Sequence, residues 1–222
     1  MHIFYLHGFA SSARSTKAAY FADQLRPYGI TLHTPDFNEP DFSTLTVTRM
    51  IGQVTGAISG LPPGGVVLIG SSLGGFVAVQ TALRMTVRGS EGPTVHRTVE
   101  RLVLLAPALD FSANRVKDLG DRGLDEWRLT GHLNVFHYGF GRVMPVHYGL
   151  YSDACGYDCV DARLTMPIQI FQGRHDTAVD PRSVEAWARS RPNAELHILD
   201  DDHQLAASLD EIWHAVKPFL TS

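Results

Sequence analysis

The feature that most constrains this chain is a short segment, Gly-Ser-Ser-Leu-Gly-Gly, at residues 70–75. It follows four consecutive apolar residues, 66–69, which are typical of a buried strand. Residues 73–85 are rich in helix formers and contain no proline, so we expect a sharp turn from strand to helix. Flanking glycines leave room for a strained backbone at Ser72, whose hydroxyl would then be exposed at the end of the strand. An ordinary structural turn is the alternative.

Length and composition indicate the class of protein. The chain has 222 residues, of which 44% are hydrophobic and 19% charged, as suits one α/β domain with a large core. A net charge of −4 gives no reason to expect nucleic acid or an anionic membrane as a partner. We find neither an apolar run of membrane-spanning length nor a basic leader at the N-terminus, and therefore expect a cytoplasmic protein.

The two cysteines, Cys155 and Cys159, are separated by three residues. A zinc site would need two further ligands at suitable spacing, and there is no second cysteine pair. We therefore expect two reduced thiols and no metal.

Apolar strand segments alternate with helical segments along the chain, which predicts a doubly wound, mainly parallel sheet of about six strands. Ser15, Ser43 and Asp180 are suitable caps for three of the helices. Leu205 should lie with Leu209, Ile212 and Val216 on one face of the last helix. Residues 84–97 are polar and suggest a surface excursion. The predicted strands are residues 3–6, 30–33, 66–69, 102–105, 168–171 and 196–199.

Residues 110–165 interrupt this alternation. The segment is long for a connection, and such segments are usually functional or fold separately. Residues 133–138 and 143–148 predict a hairpin through Gly139-Phe140-Gly141. We interpret residues 110–165 as a small cap inserted in a single domain, 1–222.

Several residues whose side chains can take part in catalysis directly follow predicted strands. Ligands of such sheets bind beyond the carboxyl ends of the strands, so these residues should share one edge. A serine needs a base to become a nucleophile, and a histidine base needs an acceptor on its other ring nitrogen. We therefore predict Ser72 as nucleophile, Asp176 as acid and His203 as base.

Each role has a less specific alternative. His197 and His175 compete with His203, but His197 lies within a strand and His175 precedes the proposed acid. Asp180 competes with Asp176, although a helix cap accounts for it. His7 is interpreted as a hydrogen-bonded loop residue rather than a proton carrier.

A tetrahedral oxyanion needs two N–H donors, for which the backbone of Phe9 and Leu73 are the candidates. The substrate pocket is expected to include Ser71, Pro107, Tyr138 and Tyr148. The tyrosines and histidines of residues 110–165 could equally form the core of the cap. No cofactor is expected, because the first turn lacks the Gly-x-Gly-x-x-Gly spacing of dinucleotide sites.

At these motifs the chain resembles the α/β-hydrolase superfamily. Residues 6–18 and 70–75 are similar to the small YqiA-type bacterial esterases, and residues 173–176 and His203 fit the same pattern. The resemblance implies an α/β-hydrolase fold with six strands in the order 2-1-3-4-5-6. It also implies a serine esterase or thioesterase that uses Ser72, Asp176 and His203, with Phe9 and Leu73 as oxyanion donors and no metal or cofactor.

We therefore predict an enzyme that cleaves carboxylic esters of small or medium acyl chains through an acyl-enzyme. Its partner would be a small acyl ester or thioester, and the protein would be a monomer or homodimer. A thioesterase or a carbon–carbon bond hydrolase would use the same triad. A non-catalytic ligand-binding module of this fold is the alternative from another class.

Overall fold

The computed structural model describes residues 1–88 and 98–221, and its centre is a parallel sheet of six strands. The strand order is β2-β1-β3-β4-β7-β8, which confirms the predicted order. The strands are β1 (His2–Leu6), β2 (Leu32–His33), β3 (Val66–Ser71), β4 (Val99–Leu105), β5 (His132–His137), β6 (Arg142–His147), β7 (Ile168–Gly173) and β8 (Ala194–Leu199). The helices are α1 (Thr16–Leu25), α2 (Val47–Ser59), α3 (Leu73–Arg88), α4 (Phe111–Thr130), α5 (Gly149–Ala154), α6 (Pro181–Arg189) and α7 (Leu209–Thr221).

Helices cover both faces of the sheet, as a doubly wound fold requires. Successive side chains of a strand point to opposite faces, so Ile3 and Tyr5 pack with α1 and α7. Phe4 and Leu6 point the other way and pack with α2, α3 and α6. The inner strands are therefore buried on both sides, which explains their continuous apolar sequence. Each large apolar side chain buried in this way contributes about 1.5–3 kcal/mol to stability.

The segment between β4 and β7 contains α4, an antiparallel hairpin formed by β5 and β6, and α5. The hairpin confirms the prediction, although each strand begins and ends one residue earlier than expected. Trp127 of α4 holds the hairpin in place: its ring is buried and its Nε1 donates to Val146 O at 3.0 Å.

Two of the three predicted helix caps are confirmed. The side chains of Ser15 and Asp180 accept backbone N–H groups from the first turns of α1 and α6. The prediction for Ser43 was wrong, because Ser43 lies in a short 3₁₀ helix, Phe42–Thr44. Thr46 caps α2 instead, because it directly precedes the first helical residue.

Two other boundaries differ from expectation. Leu205 does not belong to the last helix, since α7 begins at Leu209 and Leu205 is a buried loop residue with φ 52°. Residues 84–88 are not a surface loop, because α3 continues to Arg88. The rest of the predicted excursion, 89–97, lies outside the described residues.

Candidate active site

Ser72 lies in the turn between β3 and α3, where its φ of 53° is in the left-handed region. Two close backbone approaches make glycine necessary around it. A Cβ on Gly74 would lie 2.0 Å from Leu6 O, and one on Gly70 would lie 2.4 Å from Gly74 O. Since real Cβ atoms do not approach backbone so closely, only glycine permits this tight turn at the end of β1 and β3.

The structure brings the three residues predicted for the triad together. His203 Nε2 is 3.0 Å from Ser72 Oγ, and His203 Nδ1 is 2.7 Å from Asp176 Oδ2. Nδ1–H therefore donates to the carboxylate, which leaves Nε2 unprotonated and able to accept the Ser72 O–H. The Asp176 side chain is fully buried, whereas 21% of the His203 side chain is exposed.

The Asp176 carboxylate is held by more than the histidine. Its Oδ1 accepts the backbone N–H groups of Ala178 and Val179, each at 2.8 Å, and its Oδ2 also accepts Gln172 Nε2 at 2.8 Å. Burial raises the pKa of Asp176, but these donors and His203 outweigh it and bring the pKa below its ordinary value. The carboxylate is therefore ionised at neutral pH. Sequence reasoning missed Gln172, whose only signal is a polar side chain at the end of a buried strand.

The competing residues lie elsewhere. His197 stacks on Phe171 of the neighbouring strand, with ring centroids 4.7 Å apart. His175 pairs at the surface with Asp200, at 2.9 Å. Asp180 is exposed and caps α6.

The two candidate oxyanion donors belong to segments that border Ser72. Leu73 is the first residue of α3, so its N–H has no acceptor within that helix. The loop after β1 runs directly over the serine, because a Cβ on Gly8 would lie 3.2 Å from Ser72 Cβ. Phe9 follows in this loop, and Ala10 then has a φ of 52°.

A pocket of about 1400 Å³ opens above Ser72 and His203. Ser71 and Tyr138 line it, as the sequence suggested. Pro107 is not among the lining residues, because it packs against Gly75 of α3. Tyr148 also lies away from the pocket, because its ring packs against Trp127, 5.7 Å between centroids. Its apolar wall includes Phe9, Ala108, Phe111, Val135, Phe136, Phe140, Val179 and Leu209.

The tip of the β5–β6 hairpin is hydrogen-bonded to the loop beside Ser72. Tyr138 N donates to Ala10 O at 2.8 Å. His137 Nε2 lies 3.0 Å from Asn38 Oδ1, and Asn38 Nδ2 donates to Ser11 O at 2.9 Å. Nothing in the sequence marks this contact, because its residues come from three separate segments.

His137 and His7 are both buried, and both belong to the hydrogen-bonded contact between the hairpin tip and the loop beside Ser72. His137 Nδ1 accepts the Phe140 N–H at 3.1 Å, so the ring proton is on Nε2 and is donated to Asn38. Burial lowers the pKa of His137, and the nearby His7 adds to this. The ring of His7 accepts Phe37 N–H at 3.0 Å and contacts Gly8 O at 2.9 Å. His7 is thus a hydrogen-bonded loop residue, as predicted.

Neither a metal cluster nor a membrane span is found within the described ranges. No group of three or more His, Cys, Asp or Glu residues there is arranged to hold a metal ion. No helix in those ranges has the length and apolar character needed to cross a membrane. Cys155 is exposed and Cys159 buried, both as free thiols, and burial raises the pKa of Cys159 to about 12.

Several solved structures share this architecture. A protein from Agrobacterium vitis S4, described only as a proposed hydrolase, matches with a TM-score of 0.81 and 21% identity, over 99% of this chain and 87% of that one. Est1E from Butyrivibrio proteoclasticus, with bound ferulic acid, matches with a TM-score of 0.78 and 19% identity, over 98% and 87%. Alpha/beta hydrolase domain-containing protein 10 from mouse matches with a TM-score of 0.76 and 18% identity, over 99% and 89%. These likenesses show the α/β-hydrolase fold.

Sequence comparison identifies the family more specifically. No curated protein sequence matches the chain significantly. The model of an uncharacterised protein family, UPF0227, matches residues 2–220, which is nearly the whole chain. This bears out the resemblance to YqiA-type proteins, and the chain belongs to the UPF0227 family.

Proposed function

We propose that the protein is a serine hydrolase that cleaves carboxylic esters through Ser72, His203 and Asp176. The observation that carries this proposal is the continuous hydrogen-bonded series from Ser72 Oγ through His203 to the buried carboxylate, at 3.0 and 2.7 Å. A serine hydroxyl becomes a useful nucleophile only beside such an oriented base. The opening of a large pocket directly above the hydroxyl supports the same function.

In the proposed reaction, His203 Nε2 takes the Ser72 proton while Oγ forms a bond to the acyl carbon. The N–H groups of Phe9 and Leu73 stabilise the oxyanion. His203 then gives its proton to the departing alcohol oxygen as the carbon–oxygen bond breaks. Water loses a proton to His203 and attacks the acyl-enzyme, the acid leaves, and Ser72 regains its proton. Asp176 remains ionised and keeps His203 in the required tautomer.

We infer that residues 110–165 act as a cap that shapes the acyl site. Val135, Phe136 and Phe140 come from its hairpin and supply apolar wall beside the serine. Apolar walls fit acyl chains or aromatic acyl groups, and the ferulic acid bound to Est1E makes aromatic esters worth including in a substrate panel. Thioesters are the second class to include, because the same attack cleaves them.

A hydrolysis panel tests the proposal. The purified protein is assayed with 4-nitrophenyl esters of two to eight acyl carbons, a feruloyl ester and acyl thioesters. Ser72→Ala should lower kcat roughly 10⁴- to 10⁶-fold. Ser152→Ala, at an exposed serine of α5, is the matched control and should retain the wild-type rate. Equal rates for Ser72→Ala and wild type would show that hydrolysis does not proceed through Ser72, and no turnover of any substrate by folded protein would favour a ligand-binding module.

A further inference from the structure

Given the esterase function proposed above, on which this inference rests, we propose that Arg14 and Lys17 form an anion-binding wall of the pocket. The preferred esters would then carry a negatively charged group close to the bond that is cleaved. Both residues line the same pocket as Ser72 and His203. They lie just before and within the first turn of α1, in the segment that continues from the loop beside the serine.

Lys17 is the inner of the two cations. Its side chain is half-buried, and Nζ donates to Gln204 O at 2.6 Å. Because Gln204 follows His203 in the chain, this hydrogen bond places the ammonium group beside the proposed base. An ammonium has three N–H donors, so the bond to Gln204 leaves others for a ligand.

No counter-ion compensates Lys17 by direct contact. Asp202, Asp201 and Asp176 act on it through their charge, but no ion pair joins Lys17 to any residue in 1–88 or 98–221. Burial lowers the pKa of Lys17 to about 8, which is the direction expected of a desolvated cation. An anion bound in the pocket would supply the missing contact.

Arg14 is exposed at the pocket wall. Its backbone N–H donates to Ser12 Oγ, while its guanidinium has no hydrogen-bond or ion-pair partner within the described part of the chain. A guanidinium offers planar, paired donors that match a carboxylate or phosphate. Arg14 and Lys17 thus offer free N–H donors to the same pocket.

The pocket also contains two carboxylates, which are already engaged. Asp36 Oδ1 accepts the backbone N–H and the side-chain Nδ2 of Asn38, and lies 3.3 Å from His7 Nε2. Asp202 Oδ1 accepts the Gln204 N–H at 2.7 Å. Each of these carboxylates already accepts at least one N–H group on its Oδ1, whereas Lys17 Nζ and the Arg14 guanidinium keep N–H donors with no acceptor among the described residues, and an anion would supply one.

Paired substrates test this assignment. Mono(4-nitrophenyl) isophthalate and its methyl ester differ by a charge on the acyl side, whereas 3-acetoxybenzoate and its methyl ester differ by a charge on the alcohol side. For each pair we consider the ratio of kcat/KM for the anionic ester to that for the neutral ester. The pair with the larger ratio in the wild type identifies which side of the ester carries the charge.

Arg14→Gln and Lys17→Met should each lower that ratio roughly 3- to 10-fold, and the double variant further. Arg26→Gln removes the same charge at an exposed site outside the pocket and should leave the ratio unchanged. If Lys17 only positioned the loop of His203, Lys17→Met would lower both rates equally. Ratios in Arg14→Gln and Lys17→Met equal to that in Arg26→Gln would overturn the assignment.

A binding measurement separates this inference from the proposed function. Calorimetry with each of the two anionic esters, mono(4-nitrophenyl) isophthalate and 3-acetoxybenzoate, is performed on Ser72→Ala and on Ser72→Ala with Arg14→Gln, where no turnover is needed. Weaker binding by the second protein, without a matching loss for the methyl ester, supports the anion-binding wall even if no ester is hydrolysed. Equal binding of both anionic esters by the two proteins would contradict the wall while leaving the proposed esterase function intact.

Discussion

The ring of His137 at the hairpin tip and the carboxamide of Asn38 are joined by a hydrogen bond of 3.0 Å. Asn38 in turn donates to Ser11 O, so the hairpin and the loop beside Ser72 are held in one network. In His137→Phe the ring can still stack on Phe140, but it can no longer donate to Asn38. The network thus offers a way to test how far the hairpin supports the catalytic loop.

We expect Asn38→Ala and His137→Phe each to lower kcat/KM, because the loop bearing Phe9 loses support. In a double-mutant cycle, their effects on the free energy of unfolding should couple by about 0.5–1.5 kcal/mol. Asn134→Ala, at an exposed position of the same hairpin, is the control. Strictly additive effects of Asn38→Ala and His137→Phe would show that the contact does not act as a unit.

Asp176→Asn should lower kcat by about 10³- to 10⁴-fold while the protein stays folded. The amide would present an N–H to His203 Nδ1, which favours the wrong ring tautomer. Asp180→Asn is the matched control, because Asp180 is exposed and asparagine caps helices equally well. Steady-state kinetics measure kcat for both variants, and circular dichroism checks that both are folded. Comparable losses of kcat in Asp176→Asn and Asp180→Asn would contradict the proposed role of Asp176.

Gly74→Ala should disrupt the serine turn, since the added methyl would meet Leu6 O at 2.0 Å. We expect the free energy of unfolding to fall by about 2–4 kcal/mol and hydrolysis to be lost with it. Gly52→Ala, in the middle of α2, where an added Cβ would meet no atom within 4 Å outside the backbone of its own helix, should instead stabilise by about 0.5–1 kcal/mol. Urea denaturation measures the free energy of unfolding of both variants. An unchanged free energy of unfolding in Gly74→Ala would show that the turn tolerates a side chain.

The sequence predicted those parts of the molecule that depend on local chemistry. The buried strands are recognisable in the sequence as apolar runs, and the spacing of Gly70, Ser72 and Gly74 predicts the tight turn. The rule that functional residues follow the carboxyl ends of strands then identified Asp176 and His203, which the structure brings within hydrogen-bonding distance of one another.

Contacts between distant segments could not be predicted in this way. Asn38 and Lys17 look like ordinary polar residues until the fold brings them to His137 and Gln204. Tyr148, an aromatic residue of the cap, is predicted to line the pocket, but in the structure its ring packs against Trp127 instead. Ser43 is of a type that caps helices, but α2 begins only at Val47, and its cap is therefore Thr46.

The preference for anionic esters should depend on pH through Lys17. Burial lowers the pKa of Lys17 to about 8, while Asp202, Asp201 and Asp176 oppose the shift, and Arg14 shares the pocket. Below about pH 8 the ammonium is charged and attracts the anion; above it the charge is lost, so the anionic-to-neutral ratio of kcat/KM should fall.

The ratio is measured from pH 6.5 to 9.5, and any effect on the shared catalytic steps changes both rates alike and cancels in the ratio. Lys17→Met should give a flat ratio over this range, with any remaining preference due to Arg14. A wild-type ratio that stays constant through about pH 8 would show that Lys17 does not hold the anion.

The central claim is that the fold activates Ser72, and labelling with a fluorophosphonate followed by peptide mass spectrometry tests it most directly. Tandem spectra must distinguish Ser72 from its neighbour Ser71. We predict a single adduct on Ser72 in the wild type, none in Ser72→Ala, and labelling slowed at least about 10³-fold in His203→Ala. Folded wild-type protein that is unlabelled, or labelled equally fast without His203, would contradict the account.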